Sequence, residues 1–355
     1  MASQWVGALP PPPGVEPNFI DPPSQRERNI ALHTVLLSLI TIFVSIRIYT
    51  RIWITKNKLG VEDYLCLTSY TLSILFSGLT VKAYTYGIGR HIWDTPIRWL
   101  PQALKYFSIS SWVYLVLTAC VKLTFLFFYR RIFSTRTKIR YIFIDGAIIL
   151  VVLLNISLFI ATILSCIPVQ REWDTTVPGH CINPVILPYF SGVSSSATDI
   201  YVLILPITLL WGLNMNTQRK IRVSSIFGLG ILSVASSLVR LAETPSLRTN
   251  PDATWTISNI IVWAALEVNV GIICSCFTTL PAFFDRHISL STSNLLSHLF
   301  SPSSSKKETN SADPSIGTSG KQWSGYKQSG DSESQNFVKA HPKNIILQTN
   351  TFSVE

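Results

Sequence analysis

The stretch from Ala103 to Phe133, ALKYFSISSWVYLVLTACVKLTFLFFYRRIF, constrains this chain more than any other. Up to Tyr129 it is apolar or small-polar apart from Lys105 and Lys122, and it stops against Arg130 and Arg131. At about 1.5 Å per residue, that run crosses the ~30 Å hydrocarbon core of a bilayer as one helix. Lys105 sits at one mouth. Lys122 lies seven positions before Tyr129, roughly 10 Å inside the basic edge. A lysine stem snorkels only part of that distance, so Lys122 calls for an acidic or carbonyl partner inside the membrane.

Similar runs recur along the chain. Of its 355 residues 48% are hydrophobic and only 14% charged, against about 25% charged in a soluble domain. Spans are expected at about Ile30–Ile54, Glu62–Tyr86, Ala103–Phe133, Tyr141–Ile167, Tyr189–Leu213, Ser225–Thr244 and Trp255–Leu280. The fold class is an all-α membrane protein with a bundle of seven transmembrane helices. Residues 1–29 are Pro-rich and expected to form an extended, poorly ordered tail. Residues 30–285 form the helical domain, and 286–355 a disordered Ser/Thr/Lys-rich tail with many hydroxyls open to phosphorylation. No signal peptide precedes the first span.

The 29 basic residues exceed the 19 acidic ones by ten. Because they cluster beside apolar runs, they argue for membrane topology and against nucleic acid. Lys56, Lys58, Arg130, Arg131, Arg136, Lys138, Arg140, Arg219, Lys220 and Arg222 fall on one side. The opposite loops hold Arg90, Arg98, Arg171 and Arg248, with Lys105 at a helix mouth. The richer side is cytoplasmic, which puts the N-terminus outside and the C-terminus inside.

Candidate functional residues follow from polar groups at membrane depth. The sixth span carries Ser233, Ser236, Ser237, Arg240 and Thr244 on one stripe. The fifth has Ser195, Ser196 and Asp199 on one face, and Glu267 lies near the middle of the seventh. Asp199, Arg240, Glu267 and Ser236 are read as a polar cluster facing the bundle interior, either a ligand site or a structural ion network. Glu62 and Asp63 open the second span. They either complement the positive helix end, or Asp63 pairs with Lys122 as an intramembrane ion pair. Cys166 and Cys181 flank an outer loop, where an oxidising compartment favours a disulfide over two free thiols. Cys66, Cys120, Cys274 and Cys276 read as packing residues. The loop GIGRHIWD, Gly87 to Asp94, follows no strand and is no phosphate loop. Its glycines set a tight turn, Trp93 is an interfacial anchor, and His91 alone is a poor metal ligand. No C-x-x-C pair, nucleophile–base pair or cofactor fingerprint is present, so no metal, cofactor or catalytic residue is expected.

Taken in order, several motifs resemble one family. They are G-x-E-D at Gly60–Asp63, GIGRHIWD, KLTFLFFYRRIF from Lys122 to Phe133, Asp199 with Leu205-Pro206, Met215 with Arg219-Lys220, Arg240, D-x-T-W at Asp252–Trp255, and W-x-x-x-E at Trp263–Glu267. From Ile30 to Asp285 the chain resembles the fungal rhodopsin-like integral membrane proteins. That family includes receptor-like members and members of secondary-metabolite gene clusters such as the satratoxin one. The resemblance implies seven helices and a role as receptor or accessory membrane protein. Some members carry an N-terminal Cys-rich module; no cysteine precedes Cys66 here, so a function depending on that module is not expected. Tyr129-Arg130-Arg131 is a loose analogue of the D-R-Y of G-protein-coupled receptors, and the seventh span lacks their N-P-x-x-Y.

The expected function is a non-photoreceptive receptor or sensor for a small extracellular ligand, seated in a plasma or internal membrane among lipid. Its basic cytoplasmic loops would meet a signalling partner. The alternative is an accessory protein, for transport or a biosynthetic step, of a secondary-metabolite cluster. Missing internal repeats count against a transporter. Retinal proteins hold their chromophore on a lysine of the seventh helix, and Trp255–Leu280 contains none. Purified protein incubated with all-trans retinal is therefore expected to form no visible-absorbing adduct that borohydride fixes. A fixed band would instead direct the search to Lys82 or Lys122.

Overall fold

A computed structural model describes residues 6–56, 58–133, 138–174, 176–210, 217–284 and 286, and the side chains among them except those of 132–141 and 207–226. Seven long helices run through it: α1 (Arg26–Tyr49), α2 (Val61–Thr85), α3 (Leu100–Phe133), α4 (Lys138–Ile163), α5 (Ile186–Leu210), α6 (Thr217–Glu243) and α7 (Ala253–Phe277). Among the described residues, six are long and apolar enough to cross a membrane; α5 is the remaining one. Its described part interleaves Ser191, Ser194, Ser195, Ser196, Thr198 and Asp199 with apolar residues. Most helices begin a few residues before the apolar run that reveals them. A polar first turn adds backbone hydrogen bonds outside the hydrocarbon, so it belongs to the helix without belonging to the hydropathy signal.

The core forms where apolar faces meet. α2 packs most extensively on α3 and α6 on α7, while α1 leans on α7. In α7, 67% of the spanning stretch is buried and in α3 56%, against 17% in α4. α7 is buried on nearly every side, its polar residues Ser258, Glu267, Asn269 and Ser275 included. α3 and α7 thus form the axis, and α4 presents most of its surface outward.

The N-terminal segment departs from the expected loose tail. Ile97 donates its amide to the carbonyl of Val6 at 3.0 Å, Ala8 to that of Thr95 at 3.0 Å, and Gln25 to that of Gly89 at 2.9 Å. The Asn18 amide donates to Asp94 Oδ1 at 2.8 Å. The prolines offer no amide donors, but the residues around them do, and the 87–99 loop presents matching carbonyls. Residues 6–25 therefore form a strap across that loop. The link 134–137, the segment 211–216 and the tail from 287 lie outside the described residues, as do the expectations placed on them.

Beneath the strap, Gly87 and Gly89 hold φ of 109° and 84°, a turn that side chains resist. A Cβ on Gly87 would stand 2.5 Å from Thr95 Cγ2, whereas one on Gly14, also at positive φ, would meet nothing within 4 Å. Gly14→Ala is expected to carry only the backbone cost of about 1–2 kcal/mol. Gly87→Ala adds a steric overlap and should lower the melting temperature clearly further. Melting both variants in detergent checks this; equal melting points would mean that the turn yields freely.

Candidate functional site: a buried network of four charges

Glu267 is the centre. It lies in the middle of α7, buried to 3% exposure, and four groups surround its carboxylate and carbonyl. Arg240 of α6 donates Nε to Oε2 at 2.9 Å. Tyr114 of α3 and Ser195 of α5 each donate a hydroxyl to Oε1 at 2.9 Å. The hydroxyl of Ser233 on α6 donates to the Glu267 carbonyl at 3.3 Å. The Arg240 guanidinium also lies 5.1 Å from the centre of the Tyr114 ring, a cation–π distance.

The second ion pair is joined to the first through Ser195. Lys122 of α3 stands 3.1 Å from Asp199 Oδ1. Its ammonium also donates to Ser195 Oγ and the Ser195 carbonyl at 2.9 Å, and to Thr198 Oγ1 at 2.7 Å. Ser195, Thr198 and Asp199 share one face of α5 at the i, i+3, i+4 spacing. That face is why Lys122 turns toward α5. Two cations and two anions from four helices sum to zero charge, as burial in hydrocarbon requires. Among the described residues, Asp199 Oδ2 and Arg240 Nη2 have no hydrogen-bond partner.

Of the residues singled out from sequence, Asp199, Arg240 and Glu267 are brought into this network. Ser236 is not: its hydroxyl donates to the Leu232 carbonyl of its own helix at 2.8 Å. The neighbouring Ser237 meets Ser196 at 2.6 Å. The expected Asp63–Lys122 pair is corrected. Asp63 pairs instead with Arg47 at 2.8 Å and Arg51 at 3.3 Å, while Lys122 takes Asp199. α1 packs on α2 and brings Arg47 to the first turn of that helix, so Asp63 is already occupied. Asp63 Oδ2 also accepts the Gly60 amide at 3.1 Å, consistent with a role at the helix start.

This second cluster binds the basic end together. Arg51 and Arg131 both reach Glu62, at 3.3 and 2.5 Å. Arg47, only 1% exposed, donates to the Ser275 carbonyl of α7 at 2.6 Å. Arg47 and Tyr114 were the residues missed in the sequence. The signal for Arg47 was its place in VSIRIYT, an arginine inside an apolar run; Tyr114 gave none.

At the far end, Cys166 and Cys181 form a disulfide that closes a two-stranded ladder, Cys166–Ile167 with His180–Cys181. In the loop between them, burial raises the Glu172 carboxyl above its ordinary value, against the hydrogen bond to Ser108. Trp93 stacks at 4.7 Å on His91, whose other face takes Trp255 at 4.4 Å. His91 Nδ1 meets Asp252 Oδ2 at 2.5 Å. Asp252 thereby joins the loop to the start of α7. Among the described residues no three His, Cys, Asp or Glu side chains gather as a metal site. Cys66, Cys274 and Cys276 are buried, and the Cys66 and Cys276 sulfurs approach to 3.9 Å.

One recess adjoins the network. It lies between α3, α4 and α5, is about 280 Å³ including its open mouth, and is lined by Tyr114, Leu115, Thr118, Lys122, Leu154, Asn155, Leu158, Ser191, Ser194, Ser195 and Thr198.

Six membrane-length apolar helices and charges paired at hydrocarbon depth define a multi-pass helical membrane protein. Residues 46–286 match the model of the fungal rhodopsin domain, and the chain belongs to that family. It is 31% identical over 217 residues to an SAT4 family membrane protein of Emericella nidulans, covering 60% of this chain and 54% of that one. The match thus spans about half the length of that relative. It is 28% identical to fugralins biosynthesis cluster protein 2 of Gibberella zeae, over 77% of this chain and 69% of the relative. With Receptor GIN3 of Arthrobotrys oligospora it shares 21% identity over 83% of this chain and 71% of that one. No solved structure is significantly similar to the chain.

Breaking a buried pair by removing one partner typically costs about 3–5 kcal/mol. Glu267→Gln is therefore expected to lower the melting temperature strongly, and Arg240→Met in that background should recover part of the loss. The same holds for Asp199→Asn with Lys122→Met. Double-mutant cycles should show coupling of about 0.5–3 kcal/mol within each pair. Additive effects would mean that the charges act separately.

Proposed function

We propose that this chain is a seven-helix, non-photoreceptive sensor for a small molecule, with α5 as a further span, the N-terminal strap outside and the C-terminal tail in the cytoplasm. In this reading residues 30–285 are the sensing domain, 1–29 its outer cover and 286–355 a cytoplasmic tail. The loop charges favour that orientation. The observation that carries the proposal is the neutral four-charge network joining α3, α5, α6 and α7. In this reading the network has a second arrangement, which uses the Asp199 Oδ2 and Arg240 Nη2 sites that lack a hydrogen-bond partner among the described residues. Exchange of partners conserves paired charge while shifting α5 against α6. A ligand that prefers one arrangement moves the equilibrium by its differential affinity. A relative named as a receptor supports the reading. The second reading, an accessory protein of a biosynthetic cluster, is favoured by the relative named for the fugralins cluster.

Deleting the gene separates the two. The sensor reading expects the deletion strain to lose a transcriptional response to added culture extract while its biosynthetic enzymes keep working. Wild type restores the response; a chain carrying Lys122→Met and Asp199→Asn together, accumulated to equal level, does not. A deletion that removes one metabolite and leaves transcription unchanged supports the accessory reading. A deletion without either effect overturns both.

A further inference from the structure

The recess between α3, α4 and α5 is where polar groups meet hydrocarbon. Thr118, Lys122 and Ser195 lie on its buried side; Asn155, Ser191 and Ser194 are half-buried and form its open side. Thr118 stands 18 residues from Leu100 and 13 from Arg131, which places it roughly 27 and 20 Å from those points by helical rise. The mouth residues Ser191, Ser194 and Asn155 stand five, eight and eight residues from the ends of α5 and α4 at Ile186 and Ile163, roughly 8–12 Å by helical rise, so the mouth opens on the bundle's side wall nearer the disulfide end.

Polar side chains facing lipid are costly unless something pairs with them. Asn155 Nδ2 donates to the Val151 carbonyl at 2.9 Å, and Ser194 Oγ to the Ser191 carbonyl at 3.1 Å. Among the described residues, no hydrogen bond engages Asn155 Oδ1 or the Ser191 hydroxyl. One is an acceptor, and the other both donates and accepts. We infer that this recess is a membrane-side binding site for an uncharged lipophilic alcohol, whose hydroxyl donates to Asn155 Oδ1 and accepts from Ser191. The inference rests on the sensor reading and names its ligand class and route of entry.

Charge and size select that class. The Lys122 ammonium already spends its protons on Ser195, Thr198 and Asp199, so it has none for an anion, and it repels a cation. Most of the 280 Å³ is open mouth, and the enclosed part has room for about one water-sized group. It suits a single hydroxyl, with the apolar body lying along α4 and α5 in the lipid. Occupation bears on the network directly, because Ser194 is adjacent to Ser195, which touches both Lys122 and Glu267.

The test uses the full chain in sterol-free lipid nanodiscs with two diazirine probes, one a sterol alcohol and one a long-chain primary alcohol. Photolabelling is expected within 150–160 and 186–198, competed by the parent alcohol and not by its methyl ether. Asn155→Leu with Ser191→Ala should cut labelling about tenfold, as two lost hydrogen bonds would, at unchanged melting temperature. Ser191→Ala alone serves if the double variant does not accumulate. Labelling by the sterol probe alone makes the occupant a resident lipid; labelling by the long-chain alcohol makes it a diffusing small molecule. Even labelling of all helices, or labelling indifferent to both substitutions, overturns the site. Specific labelling with a transcriptional response unaffected by the substitutions keeps the site and sinks the sensor reading. A network-dependent response without labelling does the reverse.

Discussion

Hydrocarbon does not solvate charge. A lone lysine or arginine at the centre of a spanning helix costs about 2.5–3.5 kcal/mol on insertion scales, so its helix must find a carboxylate on a neighbour. Here that requirement acts twice. Lys122 and Arg240 recruit Asp199 and Glu267, and Arg47, Arg51 and Arg131 converge on Glu62 and Asp63. Dispersion and backbone bonding hold helices against lipid without choosing partners, since lipid tails are as apolar as leucine. The charges choose. They decide which face of α5 meets α3 and which face of α1 meets α2.

Both clusters share α3 and α7. Glu267 and Ser275 are eight residues apart on α7, and Lys122 and Arg131 nine apart on α3, so roughly 12–14 Å separates the two layers. Between them Ser73 of α2 donates to Asn269 of α7 at 2.8 Å, and Gly271 lets Val121 of α3 approach where a Cβ would meet it at 2.7 Å. Polar contacts thus occur along the length of the axis. α1 and α2 pack along it, tied at the basic end by Arg47 and at the opposite end by Asn29, which donates to Ser258 at 2.7 Å. α5 and α6 are tied near its middle. A change in how α5 and α6 are held is thus applied to the same two helices that anchor Arg47 and Arg131.

Among the described residues, six of the helices are legible because their runs are long and apolar enough to cross a membrane; α5, interleaved with serines, is the exception. The four network charges were legible as intramembrane ions. Their pairing was not. Sequence spacing reports depth along a helix and the faces of that helix, but not which neighbour a face meets. Asp63 and Lys122 lie at nearby depths, and depth alone made them partners. α1 brings Arg47 to Asp63 first, and three hydroxyl or carboxyl groups of α5 take Lys122. Ser236 was misplaced for a related reason. It shares a stripe with Ser233 and Arg240, yet a serine on a helix satisfies itself on the carbonyl four residues back, so its position on the polar face does not bring it into a site. The strap failed as a prediction because proline content was read as looseness. Four hydrogen bonds between the residues around the prolines and the 89–97 loop set its position instead.

The energetics also bound what the network can do. Interhelical polar contacts in membranes average about 0.6 kcal/mol, whereas stranding one member of a buried pair costs about 3–5 kcal/mol. A small molecule offering two or three such contacts cannot separate Lys122 from Asp199 or Arg240 from Glu267. It can bias a choice between arrangements in which every charge stays paired. Moving a two-state equilibrium fully across needs about 5.5 kcal/mol of differential affinity, more than one hydroxyl supplies. On the proposed sensor reading, a ligand in the recess therefore gives a graded bias rather than a full switch. The hydroxyl of Ser195, which accepts from Lys122 and donates to Glu267, joins the two ion pairs.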